Sequence, residues 1–146
     1  MYEERIKYTN LKGEEKEKVA YFHFSKAELV EMQVSEAGGL DKMIKEIVDS
    51  KDMAKIVAIF KMLILRAYGE VSDDGESFIK DPELTKKFEK TEAYSELFMS
   101  LVSDTDKAVA FITGIMPNVD GIQDRIDAEI AKIKEEENKV VSIEEK

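Results

Sequence analysis

The oxygen-bearing side chains of Glu70-x-Ser72-x-Asp74-Gly75-x-x-x-x-x-Asp81 fall at the spacing of a calcium-binding loop, with helix-forming sequence on either side. Three positions argue against that chemistry. The first ligand position holds Glu instead of Asp, and the last holds the short Asp81 where a bidentate Glu is usual. Ser77 sits where an apolar side chain would pair one such hand with another. A capped turn between helices accounts for the same residues. His23 is the single histidine and lies between Phe22 and Phe24, with no second ligand or triad partner in view, so a partly buried structural role is expected. The pairs Asp73-Asp74 and Asp104-Asp106 stand at turns and helix starts, where capping explains them. Gly38-Gly39 lacks the Lys and the spacing of a phosphate-cradling loop. No catalytic, cofactor-binding or metal-ligating residue is therefore expected, and no cofactor.

With reaction chemistry set aside, composition points to binding. The 146 residues are 43% hydrophobic and 37% charged, enough for one core without a staple. Cysteine is absent, which removes disulfides, thiolate nucleophiles and Cys-based metal sites and suits a reducing cytoplasm. Met1-Tyr2-Glu3-Glu4-Arg5 leads into charged sequence without a signal-peptide core, and the apolar run Ile56–Leu65 is broken by Lys61 and too short to span a membrane. A net charge of −10 repels nucleic acid and anionic lipid, so neither is expected as a partner.

The elements follow from periodicity. Arg5–Tyr8 and Val19–Phe24 alternate as two strands joined through Asn10-Leu11-Lys12-Gly13-Glu14, a hairpin expected to turn Ile6, Tyr8, Tyr21 and Val19 inward. Its edge is a site for self-association. From Ser25 the period becomes helical. Ser25-Lys26-Ala27-Glu28 is a capping box, Leu29, Met32 and Val34 form a short stripe, and a second helix spans Leu40 to Val48.

Lys51 to Tyr68 is the most apolar segment, with Met53, Ile56, Val57, Phe60, Leu63, Ile64 and Ala67 in strict spacing, so this helix is expected to be central, ended by Gly69 as a left-handed cap. Asp81-Pro82 starts another helix to Phe88, and two more cover Glu92–Val102 and Asp104–Ile115, where Pro117 stops the chain. The resulting expectation is a mainly α fold. Residues 1–117 form one globular domain, a β-hairpin (1–24) followed by a bundle of five to six helices (25–117), and 118–146 form a charged C-terminal helical arm.

That arm carries a thin stripe of Ile122, Ile126, Ile130 and Ile133 before Glu135-Glu136-Glu137. It is either a solvated helix that frays alone or a partner-binding arm. Six of the seven methionines lie on predicted helices or at their ends, where Met serves as core filler or as adaptable contact surface. The candidate protein-binding residues are Ile122, Ile126, Ile130 and Ile133, with Met62 and Met99.

The blocks Ala67-Tyr68-Gly69-Glu70, Ser72-Asp73-Asp74-Gly75, Phe78-Ile79-Lys80, Ala93-Tyr94-Ser95-Glu96-Leu97-Phe98-Met99 and Phe111-Ile112-Thr113-Gly114-Ile115-Met116-Pro117 resemble, in wording and order, the tail assembly chaperones of long-tailed bacteriophages and their prophages. The resemblance fades beyond Pro117. It implies a non-enzymatic protein that binds the tape measure protein and keeps that long helical polypeptide soluble while tail tube protein is added around it. It also implies a frameshift-extended product, action in the host cell cytoplasm, and absence from the mature virion. The alternative from the same residues is a phage-encoded acidic interaction protein acting on a host protein.

Overall fold

A computed structural model describes residues 1–35 and 52–117, with Gly39, Lys42, Met43, Lys45, Ala128, Ala131 and Glu135 singly. The helix expected over Leu40–Val48 and the arm after Pro117 otherwise lie outside the described residues. Two compact units are present, Met1–Ser25 with Val57–Met116, and Lys26–Ile56 with Pro117–Lys146. In the second unit, helix α1 (Lys26–Ser35) buries Leu29 and Met32 and leaves Val34 exposed.

The first unit begins with strands β1 (Tyr2–Thr9) and β2 (Glu15–Phe22). Asn10 organises the turn between them, its Oδ1 accepting from the amides of Lys12 and Glu14, while Gly13 adopts φ +81°. This turn sets Tyr2 opposite Phe22, Glu4 opposite Ala20 and Ile6 opposite Lys18. The inward face therefore carries Tyr2, Glu4, Ile6, Tyr8, Ala20 and Phe22. Tyr21 and Val19 stand opposite Glu3 and Arg5 on the outer face, which corrects the expected inward set. A two-residue side-chain period cannot place Ile6 and Val19 together in this register.

Helix α2 (Met53–Ala67) opens in the second unit and runs into the first, leading without a loop into β3 (Tyr68–Val71). Strand β4 (Phe78–Ile79) and helices α3 (Pro82–Glu89), α4 (Glu92–Ser103) and α5 (Thr105–Ile115) complete it. The sheet order is β1-β2-β3-β4, antiparallel throughout. Five helices and a four-stranded sheet among the described residues make this an α+β fold, overturning the mainly α expectation. Tyr68 and Gly69, read as a helix end and its cap, are strand, as are Phe78 and Ile79, while Ser72–Gly75 is the turn that joins them. Gly69 has no positive φ and so is not a left-handed cap. It is needed because a Cβ there would stand 2.6 Å from the Ile79 carbonyl oxygen and 2.6 Å from the Phe78 ring.

Helix α4 packs across β1, α5 against α4 and β1, and α3 against α4 and β3. The caps are local: Asp81 accepts from the Glu83 amide, Thr91 from Tyr94, and Asp104 from Lys107. Phe22, with no exposed surface, lies among Tyr68, Phe88 and Phe111 at centroid distances of 5.8, 6.1 and 5.3 Å. Leu63, Ile64, Leu97, Leu101 and Ile112 fill the surrounding core.

Where β1 meets α5, the Tyr2 ring packs edge-on to Phe111 and its hydroxyl donates to Glu4 Oε2 at 2.7 Å, while Lys107 Nζ is 3.0 Å from the other Glu4 oxygen. Burial, then the hydrogen bond to Glu4 and that carboxylate's charge, push the Tyr2 phenol well above its ordinary pKa. The folded state therefore resists ionisation that the unfolded chain undergoes near pH ~10, and the stability held below that pH is lost as pH rises past it. Tyr2→Phe is expected to remove about 1 kcal/mol at neutral pH. Its deficit against the parent should shrink above pH ~10 in urea titrations run at a series of pH values.

Candidate functional site

The oxygens that share calcium-loop spacing are turned into the chain itself. The Ser72 hydroxyl donates to Asp74 Oδ1 at 2.6 Å, the Glu76 amide donates to the same oxygen, and the Ser77 amide donates to Ser72 Oγ. Gly75 supplies φ +75° and Asp81 caps α3. The Ser72 hydroxyl, then the Glu76 amide, hold the Asp74 carboxyl below its usual pKa. The arrangement is that of a hydrogen-bonded turn. His23 is half-buried, its backbone amide donates to the Ala67 carbonyl, and its ring meets Phe78 edge-on at 5.5 Å. Among the described residues, no three His, Asp or Glu side chains converge as metal ligands, and no helix is long and apolar enough to cross a membrane.

An apolar groove of about 290 Å³ does converge, lined by Val57 and Lys61 of α2, Glu89 of α3, and Tyr94, Ser95, Phe98 and Met99 of α4. Its formation follows from the width of the apolar surface on α4. Ala93, Leu97 and Leu101 form the buried stripe, while Tyr94, Phe98 and Met99 form a second one facing outward. Such a helix carries more apolar surface than one packed face requires. Met99 is 59% exposed and Val57 37% exposed, so the groove floor is continuous with the surface.

The floor is also anchored to the core. Phe22, Phe88, Tyr94 and Phe98 form a ladder with successive ring centroids 6.1, 5.8 and 6.1 Å apart, so the groove's aromatic side chains are the outer rungs of the packed interior. At the rim Lys61 Nζ and Glu89 Oε1 are 3.3 Å apart, both side chains exposed. Burial, then the nearby Glu89 charge, raise the Tyr94 phenol pKa above its ordinary value. A shaped apolar floor, a neutral hydroxyl and one charge of each sign suit the ridge of an amphipathic helix.

Of the residues singled out from sequence, Met99 lines this groove. Met62 is half-buried on α2, its sulfur 3.9 Å from an Arg66 nitrogen, and takes no part in the groove lining. Ile122, Ile126, Ile130 and Ile133 lie outside the described residues. Spacing alone assigns Val57, Tyr94 and Phe98 to packing. Tyr94 does pack on Phe88, but Met53 and Val57 are exposed, so the stripe of α2 is fully buried only from Ile59 onward. The signal that marks the groove is the double apolar stripe of α4.

A second depression, about 550 Å³, opens where β2 and β3 diverge beyond Tyr21 and Gly69; a third, about 580 Å³, lies among Lys7, Glu15, Lys16, Glu17 and Glu96. Neither gathers a catalytic set. No curated protein and no solved structure matches the chain. The family profile described as phage tail assembly chaperone matches residues 1–146, the whole chain, and the protein belongs to that family.

Proposed function

We propose that this protein binds the tape measure protein during phage tail morphogenesis, keeps it soluble while tail tube protein assembles around it, and acts by binding alone. The apolar groove between α2 and α4 is the observation that carries the reading, because it offers a helical client a pre-formed aromatic floor on the surface of a chaperone of tail assembly. The net charge of −10 keeps the loaded complex dispersed and favours a client with basic stretches. The site of action is the host cell cytoplasm, and the protein leaves before the virion matures.

Co-expression with tape measure fragments tests this. A fragment insoluble alone is expected in the soluble fraction and to co-elute with the chaperone on size exclusion. Two charges in the groove, Val57→Glu with Met99→Glu, fall on exposed positions, and the far-UV circular dichroism of the variant is expected to match the parent's. They are expected to weaken the complex by about 10- to 100-fold, the range for two interface anchors. A fragment that stays insoluble, with no complex, overturns the client assignment. A complex that tolerates both glutamates moves the binding surface away from the groove.

A further inference from the structure

Strand β1 is the edge of the sheet: among the described residues it pairs with β2 alone. Which of its backbone groups face outward follows from the hairpin. The Asn10 amide donates to the Glu14 carbonyl, so Asn10 and Glu14 are a hydrogen-bonded pair, and alternation along an antiparallel ladder turns the backbone groups of Tyr8, Ile6, Glu4 and Tyr2 toward β2. Those of Glu3, Arg5 and Lys7 point away from it. Any antiparallel strand added along this stretch must pair its own outward residues with these three.

We propose that two copies of this protein join through their β1 edges about a two-fold axis at Arg5, forming one sheet that runs through both. In this register Glu3 stands opposite Lys7 of the second copy and Lys7 opposite its Glu3. Tyr2 stands opposite Tyr8 on the inner face, and Glu4 opposite Ile6. Two complementary charge pairs flank the axis. Arg5 meets its counterpart there with its charge already offset by Glu17, whose Oε1 lies 3.3 Å from Arg5 Nη1. Sliding the strands by one step in either direction is worse. One slide sets Glu4, a nearly covered carboxylate held by Lys107, against its own copy, and the other sets Arg5 against Lys7.

The neighbouring unpaired stretch of β2 makes the opposite case. The His23 amide donates to Ala67, so by the same alternation Val19, Glu17 and Glu15 face away from β1, yet the ladder to β3 ends at Tyr21. Antiparallel registers that lay Glu15-Lys16-Glu17-Lys18 on itself bring Glu opposite Glu or Lys opposite Lys. That pattern discourages self-pairing at β2 and leaves β1 as the self-complementary edge. Backbone hydrogen bonds supply the attraction, and the exposed Glu3–Lys7 pairs select the register.

The dimer is independent of the client groove, which lies on α2, α3 and α4, so the two are tested separately. Sedimentation of the full chain is expected to show a monomer–dimer equilibrium. Lys7→Glu, which places a carboxylate opposite Glu3 of the other copy on both sides of the axis, should weaken dimerisation about tenfold. The double exchange Glu3→Lys with Lys7→Glu should restore it. Because the chain has no cysteine, Arg5→Cys reports register directly. It is expected to form an intersubunit disulfide under mild oxidation, since opposite residues of such a pair have Cα atoms about 5.5 Å apart. Lys7→Cys should not cross-link. A chain that sediments as monomer at all concentrations overturns the proposal. So does a dimer indifferent to Lys7→Glu, or one that cross-links through the Lys7→Cys variant and not through Arg5→Cys.

Discussion

Phe22→Ala is expected to remove about 3–5 kcal/mol of stability, the cost of deleting a fully buried phenylalanine with partial collapse of the cavity. Phe22 has no exposed surface and touches the rings of Tyr68, Phe88 and Phe111, which arrive from β3, α3 and α5. Its side chain therefore joins the hairpin to the helical layer. Against a total of about 5–15 kcal/mol for a typical domain, the loss leaves a large unfolded fraction near physiological temperature. Urea unfolding followed by far-UV circular dichroism measures it. Phe22→Leu, which restores most of the volume, should recover more than half of the loss. The ladder to Phe98 also starts at Phe22, so the alanine variant should loosen the groove and weaken client binding beyond the fraction unfolded.

Gly69→Ala is expected to cost about 2–3 kcal/mol, at the upper part of the overpacking range, because one of the atoms it meets belongs to the backbone. The Ile79 carbonyl oxygen and the Phe78 ring each stand 2.6 Å from the position a Cβ would take. The ladder between β3 and β4 is only two residue pairs long, so the least costly relief is to separate those strands. Hydrogen exchange at Glu70 and Val71 should then accelerate while β1 and β2 stay protected. Gly75 in the same hairpin provides the contrast. Its φ is +75° and nothing lies within 4 Å of an added Cβ, so Asn, which tolerates the left-handed region, should be accepted at Gly75 and not at Gly69. Equal losses at the two positions would mean that backbone conformation, not close approach, governs both.

Glycines also separate what sequence reading captures from what it misses. Gly13 and Gly75 sit in turns whose hydrogen bonds close within five residues, and their positive φ is legible from the Asn, Asp and Ser around them. Gly69 follows a long apolar helix and carries the local marks of a C-cap. Its actual role depends on Phe78 and Ile79 returning alongside it, which no local signal announces. Strands of four and two residues leave too little alternation to read, and this is why the residues of β3 and β4 look locally like a helix stop and a loop.

The candidate site divides in the same way. Met99 is legible as an adaptable side chain on an amphipathic helix, but Met62, chosen on the same grounds, is not part of the groove. Helical spacing places both on helices and is silent about which face another element covers. Tyr94 and Phe98 are legible as one face of α4, and only the approach of α2 at Val57 and Lys61 makes that face a groove.

By itself the sequence determined, to within a residue, the boundaries of α3, α4 and α5, the hairpin turn, the caps at Asp81 and Asp104, and the family resemblance that the full-length match bears out. Those features rest on hydrogen bonds and steric preferences within a few residues of chain. Tertiary structure alone decided that the fold is α+β, that Gly69 lies in a strand, that Met53 and Val57 stay exposed, and that β1, among the described residues, is paired on one side only. Strand pairing and exposure are settled by groups tens of residues apart, and burial is a property of the packed assembly that no single segment carries.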